Sequence, residues 1–426
     1  MLPLDTPSAS SIPIARHTIC RSCGGDLIPT LSLGVIHLQD FPRSAGTLLH
    51  PGIPPMVLKR CASHACGLVQ LGHTIPPDWM FKTYWYRSGV NETMVAELRN
   101  VVESAQQHVV LEKHDTVIDI GANDGTLLQQ YPPHLRLLTM AWEPAANLFE
   151  VLRPHVQILI PHYFSATRDE WTHAAAKAKV ITACAMFYDL EDPHKFLEGI
   201  THALHPEGVF VIQQAYLPAM LRTTGFDNIC HEHLAYHDLR SMEALLAPHG
   251  LEVIDVEYRA INGGSFRTWI KFAGKGTPTP SVEGTRKSEA VFFADRPGVF
   301  EIFSGKVRRV KEQLQGVLER YLQAGKVVDL LGASTKGNTL VQYVGLDARN
   351  IRQAWERSPE KWGRYYGSTA IPIVCEAEGR KDPPAALLGI VWQFRDALIA
   401  REGEYLSKGG KMIFPLPYVE TVEYRK

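Results

Sequence analysis

Long hydrophobic runs are missing: no apolar stretch among the 426 residues approaches the roughly twenty needed to cross a bilayer. Residues 1–14 lack the basic start and apolar middle of a signal peptide, so the expectation is a cytoplasmic protein with no membrane partner. Charge of one sign is missing as well. With 44 Lys and Arg against 45 Asp and Glu, the net charge of -1 gives no general attraction to nucleic acid, and no local basic patch supplies one. Repeats and low-complexity segments are absent. Cysteine is scarce beyond the first seventy residues, where only Cys184, Cys230 and Cys375 occur, while Cys20, Cys23, Cys61 and Cys66 crowd the start. Without an export signal, that crowding points to a metal site rather than disulfides.

What is present centres on Val117-Ile118-Asp119-Ile120-Gly121-Ala122-Asn123-Asp124-Gly125-Thr126. A β-branched run that breaks into Gly-Ala-Asn-Asp-Gly and resumes as Leu127-Leu128 predicts a strand, a tight turn and a helix start. Gly121 and Gly125 would let the backbone approach a ligand, with Asn123 between them and helix-start amides facing it. Glu143, ending the next apolar strand at Leu137 to Trp142, has the place and charge to accept hydrogen bonds from a ribose hydroxyl pair. The spacing is Asp-x-Gly-x-x-x-Gly, and Asp119 precedes the turn, where an acid suits a cationic ligand better than a pyrophosphate. That favours S-adenosylmethionine over a dinucleotide. The alternative is an ordinary αβ loop with Asn-Asp-Gly as turn chemistry.

In chain order, Cys20-x-x-Cys23-Gly24-Gly25 is a knuckle that brings two thiolates to one ion, and Cys61 to Cys66 is its wider partner. Four soft ligands, Cys20, Cys23, Cys61 and Cys66, describe a closed structural zinc site, with His64 able to replace one thiolate if the second loop folds differently. After Pro76-Pro77 comes an aromatic cluster, Met80 to Gly89. Tyr84 and Tyr86 alternate with Trp85 and so share one face of an extended segment. Val90, Met94, Leu98, Val101, Val102, Ala105 and Val109 then recur at helical spacing. A βαβ rhythm continues through Val156 to Ile160, Val180 to Ala183 and Val209 to Ile212, with helical segments between. It puts Ala185 to Leu190, with Met186 as a cofactor contact, at the carboxyl edge where open α/β sheets bind ligands. His162-Tyr163-Phe164 either flanks an adenine ring or joins an aromatic core.

The densest polar cluster is Asn228-Ile229-Cys230-His231-Glu232-His233 with His237 nearby. It lacks the His-Glu-x-x-His of a zinc protease and suits general acid–base chemistry better. Asn262-Gly263-Gly264-Ser265-Phe266-Arg267 predicts a turn at which backbone and Arg267 approach a ligand. A long amphipathic helix carrying Phe303, Val307, Val310, Leu314, Val317 and Tyr321 leads to a second strand and loop, Val327 to Thr339. There the helix-start amides, two hydroxyls including Ser334, and Lys336 and Asn338 form an anion cradle for a phosphate. Glu356 stands where the ribose acid of a dinucleotide site would be.

The order of these parts resembles the sugar C-methyltransferases that act on nucleotide-linked 4-keto-deoxysugars in antibiotic and cell-surface sugar pathways. The resemblance covers nearly the whole chain. It rests on the knuckles with Cys66-Gly67-Leu68-Val69-Gln70, Tyr84 to Asn91, Asp119 to Thr126, Glu143-Pro144-Ala145, Phe226 to His233 and Gly332 to Asn338. It implies an α/β protein in three parts: a zinc-binding domain at 1–76, a Rossmann-like S-adenosylmethionine domain at 77–295, and a second Rossmann-like domain at 296–426 that helps hold the nucleotide-sugar. By the family pattern His233 is the base, with Glu232 and His231 beside it and Tyr86 near the sugar ring. Tyr84, Asn262, Arg267, Ser334, Lys336 and Asn338 are expected to contact the substrate. The chemistry requires a base to take a proton next to a ketone and a group to stabilise the enolate. Some members carry a tyrosine where this chain has Cys230 and a histidine where it has Asp189, so the groups around the keto oxygen differ. Two other readings stand: a nicotinamide-dependent ketoreductase, or a bifunctional enzyme, using the second glycine-rich unit; and a zinc-ribbon adaptor. A monomer or homodimer is expected.

Overall fold

Thr116–Ile120 is buried over its whole length and pairs in parallel with Leu138–Trp142 on one side and Ala178–Cys184 on the other. A strand covered on both faces has to be apolar throughout, which is why Val117, Ile118 and Ile120 run almost without interruption. From edge to edge the sheet is Leu251–Arg259, Ser265–Phe272, Leu204–Ala215, Ala178–Cys184, Thr116–Ile120, Leu138–Trp142 and Ile158–Ile160. The last five strands are parallel, and Leu251–Arg259 with Ser265–Phe272 forms an antiparallel hairpin at one end. This computed structural model describes residues 14–38, 40–47, 52–165 and 177–424. The leader reading of residues 1–14 and a helix expected between Ile160 and Val180 fall largely outside them.

Helix Glu92–His108 follows the expected stripe, burying Met94, Leu98, Val101, Val102 and Ala105, and Asn91 caps it by accepting from the Thr93 N–H at 3.0 Å. Val90 precedes the cap and is exposed rather than part of the stripe. The helix expected straight after the glycine turn is also absent. Leu128–Gln130 makes one 3-10 turn, because Pro132 and Pro133 leave no room for a longer helix.

A second α/β unit repeats the plan, ordered Tyr365–Tyr366, Ile371–Cys375, Ala354–Glu356, Val328–Leu331, Ala386–Gly389, Lys411–Phe414 and Glu420–Val422, with the inner strands parallel. Helix Arg296–Gln323 leads into it and buries Phe300, Phe303, Val307, Val310, Leu314 and Leu318. The small N-terminal sheet is antiparallel: Leu27–Ser32, Val57–Cys61 and Val69–Leu71, closed by Ala235–Tyr236 from the middle of the chain. One hydrophobic core runs through Leu58 and Leu71 of that sheet, Leu217 to Tyr236 of the central segment, and the second α/β unit. The segment with the His-Glu-His cluster thus lies where all three parts meet.

Candidate active site

The stretch from Asp227 to Tyr236 is held from every side. Leu234 donates its N–H to the Tyr188 carbonyl at 2.9 Å and accepts from the Leu71 N–H at 3.0 Å, joining the parallel sheet to the N-terminal sheet. Thr339 Oγ1 donates to the Ile229 carbonyl at 3.0 Å, and Trp392 Nε1 and Gln393 Nε2 donate to Asp227 Oδ2 at 2.9 and 3.1 Å, joining it to the second α/β unit.

Within that frame the three central residues separate by role. His233 Nδ1 lies 2.8 Å from the Asn228 carbonyl. A carbonyl only accepts, so Nδ1 carries the proton and Nε2 keeps its lone pair. Burial, joined by the charge of Lys336, pushes the His233 pKa down to about 3, so the ring is neutral at neutral pH. His231 is different. Its Nε2 donates to the Ile36 carbonyl at 2.7 Å and its Nδ1 accepts from His73 Nε2 at 3.1 Å, so neither nitrogen is free for proton transfer. The expectation of His231 as a catalytic group is corrected to one of anchoring the N-terminal segment. The Glu232 carboxyl is raised to about 7 by burial, with Lys336 opposing. Donor atoms of Cys230, Glu232 and His233 lie within 4.8 Å of one another. Asp189 joins them electrostatically: burial, then Glu232, holds its carboxyl well above the usual range, and its buried Oδ1 has no hydrogen-bond partner.

A cavity of about 190 Å³ opens beside this group, lined by Leu38, Asp40, Trp79, Tyr84, Glu232 and Thr335 among others. Tyr84, not Tyr86, meets the cluster. Reciprocal bonds of 2.9 Å, Tyr84 N–H to Asn147 Oδ1 and Asn147 Nδ2 to the Tyr84 carbonyl, clamp its backbone to the 3-10 turn Ala146–Leu148 that follows strand Leu138–Trp142, and its phenol feels Glu232 and Asp189. Tyr86 is exposed, near Asp124 over the glycine turn. Its carbonyl accepts from Asn123 Nδ2 at 2.9 Å. The sequence favours Tyr86 over Tyr84 for the place near the sugar ring; the structure brings Tyr84 to the cluster instead, held by the Asn147 clamp.

At the glycine turn, Gly121 has φ +70° and a Cβ there would come 3.1 Å from Met186 Cγ, so Gly121 and Met186 close one wall together. Gly125 serves packing instead of ligand approach: a Cβ would meet Leu152 at 2.9 Å and His155 at 3.2 Å. Glu143 accepts the Asn123 and Ala145 N–H groups, each at 2.8 Å, and Asp119 accepts the Thr182 hydroxyl at 2.6 Å. The Asn123 side chain is spent on Tyr86 and Ser88. Burial raises Asp119 and Glu143 to about 7 each, and among the described residues neither meets a basic side chain. Two buried carboxyls without a cation fit a ligand that brings a positive centre and ribose hydroxyls, as S-adenosylmethionine does. Phe164 packs on Trp142 and Phe196, so it belongs to the core.

The four N-terminal sulfurs lie within 4.8 Å of one another, with Cys20 and Cys66 Sγ 3.8 Å apart and Cys23 and Cys61 3.4 Å apart. A zinc–sulfur bond of about 2.3 Å gives a tetrahedral edge of about 3.8 Å, so the donor set suits that ion. All four positions are cysteines; His64 is outside the set and contributes its carbonyl to Arg240.

Several expected substrate contacts are engaged elsewhere. Arg267 is fully buried and donates to Gln213, Asn100, Ser104, Glu257 and Glu97 at 2.7–3.2 Å, so all three of its nitrogens are engaged within the protein. Asn262 has φ 57° in a turn whose glycines face Trp392 and Ala219, so the close approach there is protein against protein. Ser334 Oγ caps helix Thr335–Val344 through the Gly337 N–H at 3.0 Å, and Asn338 Nδ2 donates to the His37 carbonyl at 3.3 Å. Glu356 accepts the Ala333, Arg357 and Ser358 N–H groups, with Lys361 3.8 Å away. The second unit therefore turns its own amides and a lysine toward its ribose-position acid, and its anion cradle is largely self-satisfied.

Residues 91–256 match the model of a methyltransferase domain and residues 260–417 that of a C-methyltransferase C-terminal domain. The C-methyltransferase NovU of Streptomyces niveus is 28% identical over 415 residues, spanning 93% of this chain and 95% of NovU. Among solved structures, the putative methyltransferase in complex with the Haloferax volcanii Trm112 methyltransferase activator matches at 15% identity and a TM-score of 0.35, over 43% of this chain and 94% of that one. A SAM-dependent methyltransferase of Leishmania major matches at 15% identity and a TM-score of 0.33, over 43% and 73%.

Proposed function

Because this chain belongs to the S-adenosylmethionine-dependent C-methyltransferases, we propose that its acceptor is a nucleotide-linked 4-keto-deoxysugar, carried on thymidine diphosphate, and that it methylates a carbon next to the ketone. The observation that carries this reading is the fixed tautomer of His233. A neutral imidazole with Nε2 unprotonated, held by the Asn228 carbonyl, offers a lone pair that can take the proton of a C–H next to a ketone. When bound, S-adenosylmethionine supplies a methyl group on a sulfonium centre. Asp119 and Glu143 bind and orient it, and Met186 with Gly121 shapes the wall. Tyr84 and Glu232 line the sugar's cavity, Tyr84 directing its hydroxyl at the acceptor. The cysteine cluster holds a structural zinc ion that pins the edge on which Ala235–Tyr236 pairs.

Mass spectrometry after incubation with a panel of nucleotide-linked keto sugars and methyl-labelled S-adenosylmethionine tests the proposal. The expected product is heavier by one labelled methyl on carbon. Transfer of label to none of the keto sugars, or consumption of NADPH in its place, would overturn it. The engaged Glu356 gives the reductase alternative no support.

A further inference from the structure

Lys336 is the second residue of helix Thr335–Val344, whose first residue, Thr335, lines the cavity beside Glu232. The helix is seated on the reacting loop by the Thr339 hydroxyl on the Ile229 carbonyl and by the rings of Phe226 and Tyr343, 5.3 Å apart. That seating places Lys336 next to a cavity-lining position. It interacts electrostatically with Asp189, Asp227, Cys230 and Glu232, and its charge is felt by His233. Yet among the described residues its ammonium makes neither a hydrogen bond nor an ion pair. Asp189 Oδ1 and Asp227 Oδ1 are buried acceptors that likewise lack partners. A lysine kept only to neutralise a carboxylate closes onto it, since a desolvated charge without a partner is costly. Here ammonium and carboxylates stay apart, which leaves room for a ligand oxygen.

We propose that Lys336 is the cation that stabilises the negative charge developing on the ketone oxygen of the acceptor; this rests on the ketone and base assignments made above. The C–H bond next to the ketone breaks, its proton passes to His233 Nε2, and its electron pair moves into the carbon–carbon–oxygen system, placing the charge on oxygen beside Lys336 Nζ. The same carbon then forms its bond to the methyl group while the carbon–sulfur bond breaks, its pair staying on sulfur. Lys336 keeps its proton throughout.

The surroundings favour a ketone over the phosphate for which this loop is also suited by sequence. Lys336 is the one cation, among the described residues, that acts on Asp189, Asp227 and Glu232, so a doubly charged pyrophosphate would find no second basic group there. A ketone arrives neutral and becomes charged only in the transition state, where a preplaced cation acts most strongly. Burial holds the Lys336 ammonium below the ordinary lysine value, with the neighbouring acids opposing.

The test is hydrogen–deuterium exchange, followed by NMR, at the carbons flanking the ketone of thymidine-diphosphate-4-keto-6-deoxyglucose, using the full-length enzyme with S-adenosylhomocysteine bound. Wild type is expected to exchange. Lys336→Met should slow exchange by about 100-fold or more, and Lys336→Arg should keep it within about tenfold of wild type. Thermal midpoint and S-adenosylhomocysteine affinity should stay close to wild type in both. Exchange at the wild-type rate in Lys336→Met, with weakened sugar-nucleotide binding, would assign Lys336 to phosphate. Unchanged exchange and binding, or unfolding of both variants, would make it structural; each of these results overturns the proposal. Failure of wild type to exchange any hydrogen would remove the ketone reading itself, whereas exchange lost in His233→Ala but kept in Lys336→Met removes only Lys336.

Discussion

The imidazole of His233 lies against the phenol ring of Tyr188, with centroids 4.2 Å apart and planes inclined by 57°. Tyr188 comes two residues after Met186, which stands against Gly121. One short turn therefore links the bend at Gly121 to His233. Ala185 enters that turn with φ 55°, a left-handed conformation uncommon for alanine, and its N–H is held by the Gln213 carbonyl at 2.7 Å. The spacing between His233 and the glycine turn is thus set by local backbone.

His233→Ala should reduce turnover by about 10³-fold, within the range for a lost general base, while S-adenosylmethionine affinity measured by calorimetry stays within about twofold. Turnover near wild type would remove His233 as the base.

In a Glu232→Gln background, which removes the neighbouring carboxyl raised to about 7, the pH profile should lack an acid limb near the ordinary histidine value. Burial and Lys336 push His233 down to about 3, so Nε2 remains unprotonated as the pH falls from 7.5 to 5.5. An imidazole at 6.5 would lose about tenfold in neutral fraction over that span; the expected fall in rate at saturating substrates is under about twofold. A limb centred at 6.5 would contradict the assignment.

The two tyrosines should differ sharply. Tyr84→Phe is expected to lower kcat by about 10- to 100-fold, the scale of one lost donor to a charged transition state, with folding intact. Tyr86→Phe should change kcat by less than about threefold. Equal effects would mean that position in the cavity does not decide their roles.

Arg267→Met should act on stability alone. Removing a guanidinium that joins Glu97 and Glu257 across strand and helix breaks a buried hydrogen-bonded network while Arg259 still holds Glu97, a loss of about 1–3 kcal/mol. Denaturant titration should show it, and the folded fraction should retain wild-type KM for the sugar nucleotide. A raised KM with unchanged stability would return Arg267 to the substrate.

Cys20→Ser, or a strong chelator, should release roughly one zinc ion per chain and lower the melting temperature. Turnover should fall with it, because Gln70 and Val69, just past Cys66, pair with Ala235 and Tyr236. Metal analysis showing no zinc in the native protein would end this assignment.

Much of this was legible in sequence because it is local. The strand, glycine turn and acid at Glu143 follow from short-range pattern, as do the cysteine spacings and the cluster at His233. What escaped depends on partners far apart in the chain. Arg267 looks like a ligand contact until Glu97 and Gln213 arrive from other elements. His231 looks equivalent to His233 until Ile36 and His73 occupy both its nitrogens. Ser334 and Lys336 share one loop motif, yet one caps its own helix and the other acts electrostatically on Asp189, Asp227 and Glu232, a distinction fixed by how that helix docks.

The bonds that hold Asp227 to Tyr236 from three directions also constrain how such an enzyme can diversify. A chimera that borrows its last third from a relative inherits new partners for Ile229 and Asp227, and His233 shifts with them. Exchange of sugar specificity by module swapping should therefore succeed only when this loop travels with the module.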